Sequence, residues 1–248
     1  MRVLIACEYS GVVRDAFISR GHHAVSCDLL PTESPGLHFQ GDVNNLLEGW
    51  EPVQFQGYCD PDGDGWCQVT DSDPNECNCI GPTQDEIEYM EMDGNLFGRP
   101  KNHRYWDLMI AHPPCTYLSV SGMHWTTRGI RDPNLTEEAL RFVQLLMDAP
   151  INKIAIENPV SIISTRIRKP DQIIQPWWFG HDASKKTCLW LKNLPPLQPT
   201  NKLPGDNKTR RANQTPSGQN KLGPSKDRWK IRSATYQGIA QAMADQWG

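Results

Sequence analysis

Two short segments carry the residue types that could do covalent chemistry: Pro113-Pro114-Cys115 and Glu157-Asn158-Pro159. A cysteine thiolate is a strong nucleophile, and a buried carboxyl that keeps its proton can serve as a general acid. A strand-end cysteine alone is more often a small buried hydrophobe. Here each motif directly follows an apolar run, Trp106-Asp107-Leu108-Met109-Ile110-Ala111 in one case and residues 151–156 in the other. In an open α/β sheet, ligands bind beyond the carboxyl ends of the strands, so the residues after each run are candidates together. That rule adds Cys7, Glu8, Tyr9, Ser10, Gly11 and Val12 after the first run, Asp28 and Leu29 after the second, and Asp42 after the third. An acidic residue ending the second strand suits ribose hydroxyls, although such residues more often cap or turn the chain. The first loop has Gly11 where a dinucleotide site would carry several glycines, so its ligand need not be a dinucleotide.

The elements that must position these residues are read from periodicity. Residues 2–6 form an apolar strand, 12–19 a helix and 24–28 a second strand, the opening βαβ unit of a doubly wound sheet. A short third strand covers 37–39. After Cys115 the pattern predicts a long loop, then an amphipathic helix over 136–148 with Thr136 as its cap. Strands follow at 151–156 and 187–191, with a weaker one at 173–175, and a closing helix spans 236–247. The tract from 194 to 232 is rich in Pro, Gly, Asn and Lys and reads as loop. The expected architecture is a Rossmann-like, mostly parallel sheet built from 1–50 and 106–248, interrupted by an insertion at 51–105.

Charge separates the same regions. The 248 residues carry a net charge of −4. The insertion holds twelve Asp or Glu against three Lys or Arg, whereas residues 183–232 hold twelve Lys or Arg against Asp206 and Asp227 alone. That basic block, with Lys185, Lys186, Lys208, Arg210, Arg211, Lys226, Arg228 and Lys230, is a candidate phosphate-contacting surface; a solvated basic loop is the plainer alternative. No apolar run is long enough to span a membrane and no cleavable signal pattern follows Met1, so the expected location is cytoplasmic, with no membrane partner. In a reducing compartment, eight cysteines point to catalysis, metal or burial rather than disulfides.

With its acidic strand ends and its order of motifs, the chain resembles the cytosine-5 DNA methyltransferase family, and most closely the small members encoded by bacteriophages and prophages. That family carries a Pro-Cys nucleophile motif after the fourth strand and a Glu-Asn motif after the fifth. The resemblance implies a methyltransferase fold that binds S-adenosyl-L-methionine, with Cys7 to Val12 and Pro113 as the cofactor loops, Asp28 and Leu29 at the ribose and Asp42 at the adenine. It implies Cys115 as nucleophile, Glu157 as its acid partner, and Pro114 and Asn158 beside them. Tyr236-Gln237-Gly238-Ile239-Ala240 is similar to the closing motif, and Lys185-Lys186-Thr187-Cys188-Leu189 takes the place of the family's arginine-bearing strand. The implied substrate is cytosine in double- or single-stranded DNA, flipped or supplied unpaired. Methyltransfer to RNA or free cytosine nucleotides, and a silent DNA-binding or decoy protein, are the alternative readings. Because so little chain stands where larger members place a target-recognition domain, short or relaxed sequence recognition is expected.

Within the insertion, Cys59, Cys67, Cys77 and Cys79 could hold one structural zinc by four thiolates, without a clean CxxC pair. Asp60-x-Asp62-x-Asp64-Gly65 also matches the front of a calcium loop, and an unliganded acidic loop is the third reading. Its charge would repel phosphates, so it is expected to point away from the nucleic acid or toward a protein partner.

Overall fold

In the computed structural model, which describes residues 1–47, 51–52, 87–92, 95–100 and 106–248, the opening apolar run forms β1 (Arg2–Ala6). It is followed by α1 (Val12–Ile18), β2 (His23–Asp28) and β3 (His38–Gln40). The second unit supplies β4 (Glu51–Pro52), β5 (Ile87–Met92) and β6 (Asn95–Pro100), an antiparallel sheet in the order β4-β6-β5. The first unit resumes with β7 (Leu108–Ala111), α2 (Val120–Thr127), α3 (Asn134–Asp148) and β8 (Lys153–Pro159). It closes with α4 (Ile163–Arg166), β9 (Gln172–Ile174), β10 (Thr187–Lys192), α5 (Arg228–Ser233) and α6 (Gln237–Trp247). The two compact units are Met1–Gly41 with Trp106–Gly248, and Asp42–Tyr105, so the second begins before the change of composition at Glu51.

The main sheet is seven-stranded and mostly parallel, in the order β3-β2-β1-β7-β8-β10-β9. Strands β3, β2, β1, β7 and β8 run parallel, and β10 is antiparallel to both its neighbours. This is an α/β fold compatible with a Rossmann-like arrangement. Alternation along the strands assigns the two faces. Val3, Ile5, Leu108, Ile110 and Ala155 pack with Val13, Ala16 and Phe17 of α1 and Ile239, Ala240 and Met243 of α6 in one core. Leu4, Met109, Ile154 and Ile156 are equally buried on the alternate positions, and α3 packs on β8 with Leu140, Val143 and Leu146 buried. No helix among the described residues is long and apolar enough to cross a membrane.

Several local expectations are corrected. Residues 120–127, expected in a loop, form α2, capped by Ser119, whose Oγ accepts the Gly122 N–H at 3.2 Å. The next helix begins at Asn134, so Thr136 is not its cap; it is buried, and its hydroxyl donates to the Tyr117 carbonyl at 3.3 Å. Strand β8 continues through Glu157, Asn158 and Pro159 because β10 pairs with it over those positions, Leu189 facing Glu157 and Cys188 facing Asn158. The tract expected as loop from 194 to 232 ends in helix α5.

Candidate active site

The strand order reverses between β1 and β7, and the crevice at that switch point is where an open α/β sheet binds its ligand. A cavity of about 1090 Å³ lies there. It is lined by Cys7 to Ser10 after β1, His112 to Cys115 after β7, Glu157 to Pro159 of β8, Lys185 and Lys186 before β10, and Arg232 to Tyr236 from the end of α5 to the start of α6.

Two buried contacts tie its walls together. The Asn158 side-chain amide donates to the Pro113 carbonyl at 2.7 Å, locking the turn before Cys115 to β8. His112 Nδ1 lies 2.7 Å from Glu157 Oε2, with side chains only 13% and 8% exposed. Thr235 Oγ donates to the same oxygen at 3.4 Å. Glu157 Oε1 has no hydrogen bond among the described residues and is left for a ligand in the cavity.

The electrostatics reverse the expectation that burial keeps Glu157 protonated. Burial does push the carboxyl upward, but the hydrogen bond and charge of His112, with Lys185 and Thr235, outweigh it and hold the pKa at about 2. Burial in turn disfavours the charged imidazole, yet the carboxylate contact raises the His112 pKa above its usual value. The pair therefore holds one shared proton on the imidazole side. Cys115 is a thiol in the free protein: burial and the Glu157 charge raise its pKa, while Lys185 and Arg232 pull it down. Lys185 is itself oriented by a 3.3 Å bond from Nζ to the Ala234 carbonyl. A nucleophile with a nearby cation, facing an acid fed by a histidine, can add to an electron-poor ring and hold a proton at a ring nitrogen.

The loop after β1 is built differently from a glycine-rich phosphate loop. Cys7 takes a left-handed φ of 59°, turning the chain sharply off the strand. Glu8, expected to face the cofactor, is 5% exposed, and its carboxylate accepts the Val13 N–H at 2.7 Å and the Arg14 N–H at 3.2 Å. It thus caps α1 from within the loop, filling the anion site that a helix N-terminus would offer a ligand. Gly11 is required where it stands: its φ is 74°, and a Cβ there would meet Arg14 Nη2 at 2.5 Å. The fully buried Arg14 guanidinium donates to Ser26 Oγ and to the Ser34 and Pro35 carbonyls, fixing the chain after β2.

Asp28 is half-buried outside the cavity lining; one carboxylate oxygen accepts the Leu30 N–H at 2.9 Å, and burial raises its pKa. Leu29 beside it is 73% exposed. Asp42 opens the second unit, where it accepts the Asn44 N–H at 3.0 Å. Among the expected phosphate contacts, Lys185 and Lys186 line the cavity, and Lys208, Arg210 and Lys226 are exposed away from its lining. Arg211 is corrected: it is 5% exposed, lies over the Trp177 ring at 4.5 Å and donates to the Pro204 carbonyl, so it presents no charge to a phosphate. The Arg228 guanidinium is turned onto the Leu222 carbonyl. His112, Arg131, Lys221, Arg232 and Thr235 are cavity residues that sequence reasoning missed; the position of His112, directly before Pro113, was the one usable signal.

Gly238 serves the closing segment: a Cβ there would lie 2.1 Å from the Phe179 carbonyl, and its N–H donates to His181 Nε2 at 2.9 Å. This close approach lets α6 start beside the cavity wall at Tyr236. The cysteines at 59, 67, 77 and 79, and the acidic loop at 60–71, lie outside the described residues. Among the described residues no group of His, Cys, Asp or Glu is arranged to hold a metal ion. No protein-family model matches the chain, and no curated protein matches it at a significant level.

Proposed function

We propose that the protein methylates carbon 5 of cytosine in DNA, with Cys115 as nucleophile and Glu157, paired with His112, as the acid at ring nitrogen 3. The observation that carries this reading is the double tie between the two motifs. Asn158 to Pro113 and Glu157 to His112 hold the thiol loop and the acid strand on one cavity at the sheet's switch point. The seven-stranded sheet, parallel except for β10, is compatible with the Rossmann-like arrangement that this reading requires.

The reaction follows from these side chains. Cys115, once its thiol proton has gone to solvent, forms a bond from sulfur to carbon 6, and the ring electrons move toward nitrogen 3. His112 passes its proton to the Glu157 carboxylate, and the carboxyl so protonated donates that proton to the nitrogen. Carbon 5 becomes the nucleophilic end of an enamine. S-adenosyl-L-methionine, when bound, supplies the electrophilic methyl group. Loss of the carbon 5 proton to water then restores the ring double bond as the carbon–sulfur bond breaks, the thiolate leaves, and the nitrogen 3 proton returns to the Glu157–His112 pair. The chain's fit to that cofactor rests on the turn at Cys7 to Ser10, which lines the cavity; Asp28, at the end of the neighbouring strand and outside the lining, already accepts the Leu30 N–H. Glu8 is not available for it.

The test uses labelled S-adenosyl-L-methionine with duplex DNA, single-stranded DNA, RNA or dCMP, and an oligonucleotide carrying 5-fluorocytosine. Wild-type protein is expected to label DNA and to form a covalent adduct with the fluorinated strand, whereas Cys115→Ser does neither. Absence of the adduct with cofactor present would refute the mechanism, and labelling confined to RNA or dCMP would move the substrate.

A further inference from the structure

Two tryptophans on the cavity wall are not used by the cytosine chemistry. Trp125 of α2 and Trp229 of α5 both line it, yet they are 45% and 51% exposed. Three other tryptophans, Trp106, Trp190 and Trp247, are essentially fully buried, so the fold has places for indoles and leaves these two in water. Trp229 is held in place. The Trp229 ring packs on the Tyr9 ring at 5.9 Å, and the Tyr9 hydroxyl is fixed by hydrogen bonding to α5, at 3.0 Å with Ser233 Oγ and 3.3 Å with the Lys230 carbonyl. Trp125 stands edge-on to His124 at 5.8 Å.

Cations outnumber carboxylates on the same surface. Arg131, Lys186, Lys221 and Arg232 line the cavity with Lys185, while of its two carboxylates Glu8 is taken up by the α1 N–H groups and Glu157 is paired at Oε2 with His112. A ligand therefore meets exposed planar apolar faces set among cations, the combination that suits a polyanion carrying planar rings. We propose that Trp125 and Trp229 are stacking platforms for the bases that flank the target cytosine, and that the strand this cavity accepts is single-stranded or locally opened DNA. Bases paired and stacked in an intact duplex offer no free faces to either indole. The inference rests on the DNA reading above and names the form of DNA that the site takes.

The experiment measures binding without cofactor, so that it does not depend on methyl transfer. A fluorescent single-stranded oligonucleotide with one central cytosine, and its duplex, are titrated into the full chain and read by anisotropy and by quenching of tryptophan emission. The single strand is expected to bind more tightly than the duplex. Trp125→Ala and Trp229→Ala should each weaken single-strand binding by about five- to 150-fold and reduce the quenching, while Trp→Phe at either position restores most of the affinity. Thermal melting should stay close to wild type, because both side chains are half-exposed. Wild-type affinity in both alanine variants would overturn the proposal, whatever the methylation assay gives. Tryptophan-dependent binding without methyl transfer would instead refute the proposed reaction and leave this surface standing.

Discussion

Replacing Glu157 by Gln keeps the side chain's shape and one hydrogen bond but removes the charge that His112 faces. The carboxyl is held from 4.5 down to about 2 although burial alone would raise it. At about 1.4 kcal/mol per tenfold change in proton affinity, that corresponds to about 3 kcal/mol of stability. The side chain is only 8% exposed, so solvent screening does not erode the figure, and the raised His112 value is the same contact seen from its partner and is not added. The sign follows from the two directions. The Glu157 contribution is present above about pH 4.5 and is lost as pH falls toward about 2; the His112 contribution is present below its usual 6.5 and is lost as pH rises through its raised folded value. The pair is therefore whole between about pH 4.5 and 6.5. Urea denaturation at pH 5.5 should show Glu157→Gln less stable by about 3 kcal/mol, a drop in midpoint of roughly 1 M at a slope of about 3 kcal/mol/M. At pH 9.5 the difference should shrink. Methyl transfer by the same variant should fall by about 100-fold or more at both pH values, since the acid at nitrogen 3 is gone. An equal midpoint shift at pH 5.5 and 9.5 would refute the ion pair, and an unchanged rate would remove Glu157 from the chemistry.

Two further substitutions test the supports. Lys185→Ala removes the cation that most opposes the burial of Cys115, so alkylation of Cys115 by iodoacetamide at pH 8 should slow by about three- to tenfold; an unchanged rate would show that Lys185 does not act on the thiol. Asn158→Ala leaves the buried Pro113 carbonyl without its donor, so the protein should lose about 1–3 kcal/mol in urea denaturation, and kcat should fall more than KM changes.

The central strands β1, β2, β7, β8 and β10 were legible because each carries an apolar run of β-branched and aliphatic residues, whereas β4, β5 and β6, inside the segment read only as an acidic insertion, were not. The helix at 120–127 was not, because Val120, Met123 and Trp125 do not form a stripe and Trp125 faces outward; Ser119 and the packing of Gly122 on the Thr116 carbonyl make it helical. The motif cysteine and glutamate were found from residue type and place. Their protonation was not, because it depends on His112, which lies 45 residues from Glu157 in sequence and meets it only across adjacent strands β7 and β8. Arg14 was equally opaque. On a helix with Val13, Ala16 and Phe17 buried, an arginine ordinarily marks the solvent side, yet it is fully buried and serves the chain after β2.

The basic tract before α5 illustrates how local order can convert charge into architecture. Composition reads residues 194–232 as a solvated loop or a phosphate surface, but the fold ties part of the tract to the site. Arg211 sits over Trp177, which is 4% exposed, and its charge lies 3.7 Å from Asp182. Asp182 also accepts the Ala212 N–H, and Asn213 bonds Ser184 in both directions, at 2.8 Å and 3.0 Å. Ser184 immediately precedes Lys185. The segment that carries the cation facing Cys115 and Glu157 is thus braced by the tract, so part of the basic block acts by holding Lys185 in place rather than by meeting a phosphate. The cations left to meet a ligand at the cavity are Arg131, Lys185, Lys186, Lys221 and Arg232, which come from four separate stretches of chain. A run of charge in sequence cannot identify such a set, because folding assembles it from segments whose local compositions differ.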